Sequence, residues 1–138
     1  RMPNGVMEIS LKLELDPTDY PEFIAIQLSN TKGEIVRIGY KTAANEYFID
    51  RQNAGKSDFH EDFATLDVAP AMLGEDNIID MRLFVDISSV ELFADEGRTV
   101  MTDIYFPNET FNQLSLLVAK GKAKLLAGKV WELERVWE

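Results

Sequence analysis

From Met7 to Leu15 the chain alternates without a fault. Met7, Ile9, Leu11, Leu13 and Leu15 are apolar, and Glu8, Ser10, Lys12 and Glu14 between them are polar. A period of two held over nine residues belongs to an extended strand with one dry face and one wet face. A helix of the same residues would scatter its apolar positions around the axis. A strand that is dry on one side must be covered by a second layer, so this segment alone points to layered β architecture.

The rest of the chain repeats the pattern in shorter pieces. Asp16-Pro17-Thr18-Asp19 has turn chemistry. The run Phe23 to Ser29 sets Ile24, Ile26 and Leu28 on one side, and Asn30-Thr31-Lys32-Gly33 predicts a hairpin turn into a run carrying Val36, Ile38 and Tyr40. Glu46 to Asp50 is a short strand candidate, followed by a polar loop. Ala64 to Val68 is another candidate, and Pro70 to Leu73 reads as a turn or one helical turn. Leu114, Leu116 and Val118 alternate again, Lys120-Gly121-Lys122 turns the chain, and Leu125 to Trp137 supplies the last strands, with Trp131, Leu133 and Trp137 on one side.

The stretch Ile79 to Phe106 can be registered by arithmetic. With Asp86-Ile87-Ser88-Ser89 as a four-residue loop, Val85 faces Val90, Leu83 faces Leu92 and Met81 faces Ala94. One face of that hairpin is then wholly apolar, and a slip of one residue would oppose apolar to polar positions throughout. Asp95-Glu96-Gly97 fits a three-residue loop with Gly97 left-handed, which opposes Leu92 to Val100 and Val90 to Thr102. No stretch carries three turns of amphipathic helix, and no repeat emerges. The expectation is an all-β fold: a two-sheet antiparallel β-sandwich of jelly-roll or concanavalin-like kind, with about nine or ten short strands.

Charge and composition restrict the partners. The chain has 14 Lys+Arg against 24 Asp+Glu, a net charge of −10 over 138 residues. Phosphate repels such a surface and no basic stripe offsets it, which argues against nucleic acid and against an anionic membrane surface. A neutral ligand such as a sugar stays open. With no Cys there are no disulfides, thiolate nucleophiles or cysteine-ligated metals. No segment approaches the roughly 18 apolar residues of a membrane helix.

Candidate chemistry is sparse. His60 is the only histidine and lies in the acidic stretch Asp58-Phe59-His60-Glu61-Asp62, with no nucleophile motif nearby. Asp16 with Asp19, or Glu75 and Asp76 near Asp80, offer oxygen ligands, but their spacing is not that of a calcium loop, and turn formation accounts for them. Glu91, opposite Phe84 and diagonal to Arg82, reads as half of a cross-strand ion pair rather than as a glycosidase carboxylate. No catalytic, cofactor or metal residue is therefore assigned, and no cofactor is expected. Tyr40, Tyr47, Trp131 and Trp137 are the aromatics chosen as possible sugar or domain contacts, although aromatics at strand period more commonly face a core.

Three stretches carry a family resemblance. Met81-Arg82-Leu83-Phe84-Val85-Asp86-Ile87-Ser88-Ser89-Val90-Glu91-Leu92-Phe93-Ala94-Asp95-Glu96-Gly97-Arg98 resembles the "l-r-i-f-v-D-x-S-S-v-E-v-F-x-n-d-G" signature in the C-terminal β-sandwich of glycoside hydrolase family 32, the invertases, levanases and inulinases. Phe48 to Gly55 is similar to that family's "l-D-R-x-x-s-G" region, and Val130 to Trp137 to its closing "W-x-L-x-x-x-W" strand. Ile87 departs from the signature, where a polar residue is common. The family's chemistry lies in an N-terminal five-bladed propeller with W-M-N-D-P-N-G, R-D-P and E-C motifs. None occurs in this sequence, and Leu15-Asp16-Pro17 lacks the arginine.

The resemblance thus implies one sandwich module, residues 1–138, from the C-terminal part of a larger fructan- or sucrose-cleaving enzyme. Such a module would buttress the catalytic propeller of the same parent chain and have no catalysis of its own. It also implies a location outside the cytoplasm and leaves room for a homodimer. Two alternatives stand beside it: a module that itself binds fructan, and an unrelated immunoglobulin-like interaction domain.

Overall fold

A computed structural model describes residues 6–53, 66–73 and 76–132. It contains ten strands and, among the described residues, no helix. They are β1 (Met7–Leu15), β2 (Phe23–Ser29), β3 (Ile35–Lys41), β4 (Glu46–Asn53), β5 (Leu66–Pro70), β6 (Ile78–Val85), β7 (Ser89–Ala94), β8 (Thr99–Ile104), β9 (Gln113–Ala119) and β10 (Ala123–Glu132). One sheet has the order β10-β1-β6-β7-β8 and the other β5-β4-β3-β2-β9, with every pairing antiparallel. The inward residues of the two sheets form one core, from Ile9, Leu11 and Leu13 on β1 and Met81, Leu83 and Val85 on β6 to Ile24, Ile26, Val36, Ile38 and Ile49 opposite. The β-sandwich expected from alternation is present.

The β6–β7 hairpin has the expected register, with Met81 opposite Ala94, Leu83 opposite Leu92 and Val85 opposite Val90. The next hairpin does not. Leu92 faces Met101, Phe93 faces Val100 and Val90 faces Asp103, one residue away from the predicted pairing. The loop has four residues because Asp95, Glu96 and Gly97 are all left-handed, with φ of 53°, 62° and 86°, where only Gly97 was expected to be. The slip turns β8 over. Thr99, Met101 and Asp103 point inward and Val100 is 53% exposed. Polar partners receive the inverted face: Thr99 Oγ1 donates to the Pro70 carbonyl at 2.8 Å, and Asp103 meets Arg51.

Two further readings need correction. Pro70 closes β5, and the following backbone is irregular rather than helical, with the Ala71 N–H donating to the Asn45 carbonyl at 3.0 Å. Arg82 pairs with Glu8 of β1 at 3.2 Å instead of Glu91, because β1 lies on its other side and brings Glu8 diagonal to it.

Close approach fixes one glycine. Gly39, opposite Ala25 on β2 and Phe48 on β4, sits so near the neighbouring strand that a Cβ there would fall 2.7 Å from the Ala25 Cα and would overlap the Ile24 carbonyl. The β2–β3 turn is held from below by Glu34. Its buried carboxylate accepts from Asn30 Nδ2 at 2.9 Å, from the Asn108 N–H at 2.8 Å and from Asn108 Nδ2 at 2.6 Å.

Candidate functional site

The four aromatics picked from the sequence have different fates. Tyr40 and Tyr47 face each other across β3 and β4 and are 3% and 0% exposed, so neither can offer a ring to a sugar. Their rings meet edge to face at 5.4 Å. The Tyr40 hydroxyl donates to Asn45 Oδ1 at 2.7 Å. The Tyr47 hydroxyl donates to Asp95 Oδ1 at 2.7 Å, while the Met72 N–H donates to Asp95 Oδ2 at 2.7 Å. Burial and the Asp95 carboxylate push the Tyr47 hydroxyl well above its usual pKa. Through Tyr47, the Met72 N–H and the buried Asp95 carboxylate, β4, the β5–β6 connection and the β7–β8 loop are tied together. Trp137 and His60 lie outside the described residues.

Trp131 is half-buried and points away from the core. It pairs with Glu8 on β1, whose side chain is on the wet face, and Lys129 Nζ lies 4.9 Å from the centre of its ring. A bulge between Lys12 and Leu13 of β1 explains the inversion. Leu125 pairs with the inward Leu13, but beyond the bulge it is Gly128 and Val130 that pair with the inward Leu11 and Ile9. The extra residue shifts the phase of β10, so Ala127, Lys129 and Trp131 go outward.

Two surface features follow. The first is a cleft of about 680 Å³ on the outer face of the β1-bearing sheet. It is lined by Lys12 of β1, Asp80, Arg82 and Phe84 of β6, Phe93 of β7 and Glu96 of the β7–β8 loop. Phe84 and Phe93 meet edge to face with ring centres 5.7 Å apart. The alternation that buries Leu83, Val85 and Leu92 necessarily turns these two rings outward.

The second is the edge where β9 and β10 terminate their sheets. The inward side chains there are incompletely covered: Leu125 is 53%, Val130 48%, Leu116 41% and Val118 39% exposed. An apolar cavity of about 280 Å³ opens between the sheets, reaching Ile9, Leu11 and Ile26. The alternation of Leu114, Leu116 and Val118 puts them on one face, but it carries no information on whether the opposing sheet reaches that far.

The opposite edge is closed and charged. Arg51 Nε lies 3.6 Å from Asp103 Oδ2, and its Nη2 lies 3.8 Å from Asp67 Oδ2. Burial, with the neighbouring Asp67 carboxyl, pushes Asp103 up to about 7 against the pull of Arg51. Sequence reading missed this pair, since Asp67 and Asp103 are far apart in the chain and meet only through the register of β5 and β8. Among the described residues, no group of three or more His, Cys, Asp or Glu is arranged to hold a metal ion. Asp16 caps its own turn, accepting from the Thr18 N–H at 2.9 Å and Thr18 Oγ1 at 2.7 Å. No helix among the described residues is long and apolar enough to cross a membrane.

Two five-stranded antiparallel sheets, with an open apolar edge and an outward cleft, define a two-layer β-sandwich domain. The chain belongs to the family described as "Glycosyl hydrolases family 32 C terminal", which it matches over residues 2–132. It is 36% identical over 134 residues to a levanase of Bacillus sp. (strain L7), covering 97% of this chain and 14% of the relative. It is 28% identical to an extracellular exo-inulinase of Aspergillus awamori, covering 83% of this chain and 21% of the relative. The crystal structure of exo-inulinase from A. awamori shares the fold, with a TM-score of 0.87 at 24% identity over 99% of this chain and 26% of that one. The chain therefore spans about a seventh to a quarter of the length of these proteins.

Proposed function

We propose that this chain is a single, non-catalytic sandwich module of a larger, exported fructan-cleaving enzyme. In this reading it seats against the catalytic propeller of the same parent chain through the open β9–β10 edge. The carrying observation is the apolar strip itself. Leu116, Val118, Leu125 and Val130 are inward residues of a sandwich left half-covered, and a contiguous apolar patch of this kind is characteristic of an interface. Covering the remaining half of one such side chain stabilises by about 1 kcal/mol. A levanase and an extracellular exo-inulinase among the relatives support fructan as the parent's substrate and export as its fate.

The test uses the full parent enzyme carrying Leu125→Asp or Val130→Asp, with Val100→Asp, an exposed residue on β8, as control. The edge variants are expected to lower the temperature at which fructan-cleaving activity is lost, and the control to leave it unchanged. Equal behaviour of all three would overturn the docking edge. Fructose release from levan, inulin or sucrose by the isolated chain would overturn the non-catalytic role. A second copy as the occupant would show itself as a dimer of the parent that the edge variants dissociate.

A further inference from the structure

We infer that the outer cleft of the β1-bearing sheet is a binding site for a neutral oligosaccharide, with fructan segments as the ligand class. The inference deepens the fructan reading of the parent, but it uses a different surface from the docking edge. Its position follows from strand phase: β1, β6 and β7 bury one face completely, so every second residue is placed on a continuous outer surface. Across that surface, Ser10, Arg82 and Phe93 form one row, and Trp131, Glu8, Phe84 and Glu91 the next.

The chemistry of the cleft fits an uncharged polyol. Its ionisable lining is balanced, Lys12 and Arg82 against Asp80 and Glu96, although the whole chain carries a charge of −10. A balanced lining attracts neither anions nor cations at range, yet it presents several donors and acceptors to hydroxyl groups. The edge-to-face Phe84–Phe93 pair supplies apolar surface for the C–H faces of a furanose or pyranose ring. A volume of about 680 Å³ falls inside the range of roughly 300–1,000 Å³ that small-ligand clefts occupy.

The polar groups are also available. The Arg82–Glu8 pair is made by an arginine side chain that is 54% exposed, and such a surface ion pair holds its partners weakly. The guanidinium can therefore turn to a ligand hydroxyl at little cost. Trp131 stands on the same face two strands from Phe84, about 10 Å away at the usual strand spacing. It would lie beside a longer chain, not under the first rings.

The experiment titrates the isotopically labelled isolated chain with levan-type and inulin-type fructo-oligosaccharides, and with cello-oligosaccharides for comparison. Saturable amide shifts are expected at Arg82, Phe84 and Phe93 on addition of a fructo-oligosaccharide. Phe93→Ala should weaken the dissociation constant about five- to tenfold. Arg82→Ala, on a side chain that is 54% exposed, should weaken it about threefold. A Val118→Ser change at the open edge should leave it unaltered. Absence of saturable shifts, shifts confined to β9 and β10, or binding indifferent to both Phe93→Ala and Arg82→Ala would each overturn the assignment. None of these outcomes bears on the docking edge, which is tested in the parent enzyme by activity loss on heating.

Discussion

Tyr47→Phe isolates the contribution of one buried hydroxyl. The substitution removes an oxygen and leaves the ring, so the edge-to-face packing on Tyr40 at 5.4 Å and the filling of the core are retained. What it removes is the 2.7 Å hydrogen bond to Asp95 Oδ1, together with the hydroxyl's contact with the Asp80 backbone. Asp95 is 4% exposed, so the carboxylate would keep the Met72 N–H on Oδ2 and lose the Tyr47 donor on Oδ1 inside the protein. A hydrogen bond to a charged group contributes about 1.5–3 kcal/mol, and stranding a buried charge costs at the upper end of that range. The expected loss is therefore about 2–3 kcal/mol, or about 6–10 °C in Tm for a domain of this size. Calorimetry and urea denaturation with an unchanged m value would measure it. Asp95→Asn in the same background should recover part of the loss, as coupled neighbours do. A change below about 0.5 kcal/mol would refute the buried-anchor account of Tyr47.

Other perturbations follow from the same structure. Gly39→Ala drives a Cβ into backbone rather than a yielding side chain, and should cost about 3 kcal/mol or more, seen as a large fall in Tm and weakened near-ultraviolet dichroism. Asp103 has a raised folded-state pKa of about 7 against 3.8, so its contribution is present at low pH and declines as pH rises between those values. The slope is at most about 1.4 kcal/mol per pH unit, and Asp103→Asn should flatten it in denaturation curves from pH 4 to pH 8. Glu34 behaves oppositely. Burial raises its pKa, but hydrogen bonds from Asn30, Asn108 and Glu109 outweigh that and hold it below 4.5. Its contribution is thus present above pH 4.5 and lost on acidification below it, and Glu34→Gln should be less stable at neutral pH with a shallower acid limb.

How much of this was legible in the sequence depended on how local the cause was. β1 and the β6–β7 register could be read because an apolar face penalises every alternative pairing. The β7–β8 register could not, because two non-glycine residues, Asp95 and Glu96, take left-handed backbone that composition alone does not announce. The burial of Tyr40 was available in its own alternation with Val36 and Ile38. Choosing it as a contact gave ring chemistry more weight than phase. The outward turn of Trp131 comes from a bulge in the pairing of β10 with β1, a relation between segments more than 100 residues apart that strand period alone does not show. The outward Phe84 and Phe93 were implicit in the correct hairpin register, yet only the packed sheets show them meeting above a cleft.

The open end of the sandwich has a consequence for the chain on its own. There, among the described residues, β9 and β10 each have a strand neighbour on one side only, beside exposed leucine and valine side chains, a template on which another extended segment can add. Lysines crowd the same place: Lys120 and Lys122 in the turn, Lys124 and Lys129 along β10, all exposed. An added strand would have to desolvate these ammonium groups or bring acids to meet them. The basic fringe on an otherwise acidic molecule thus acts as a guard against runaway strand-to-strand stacking.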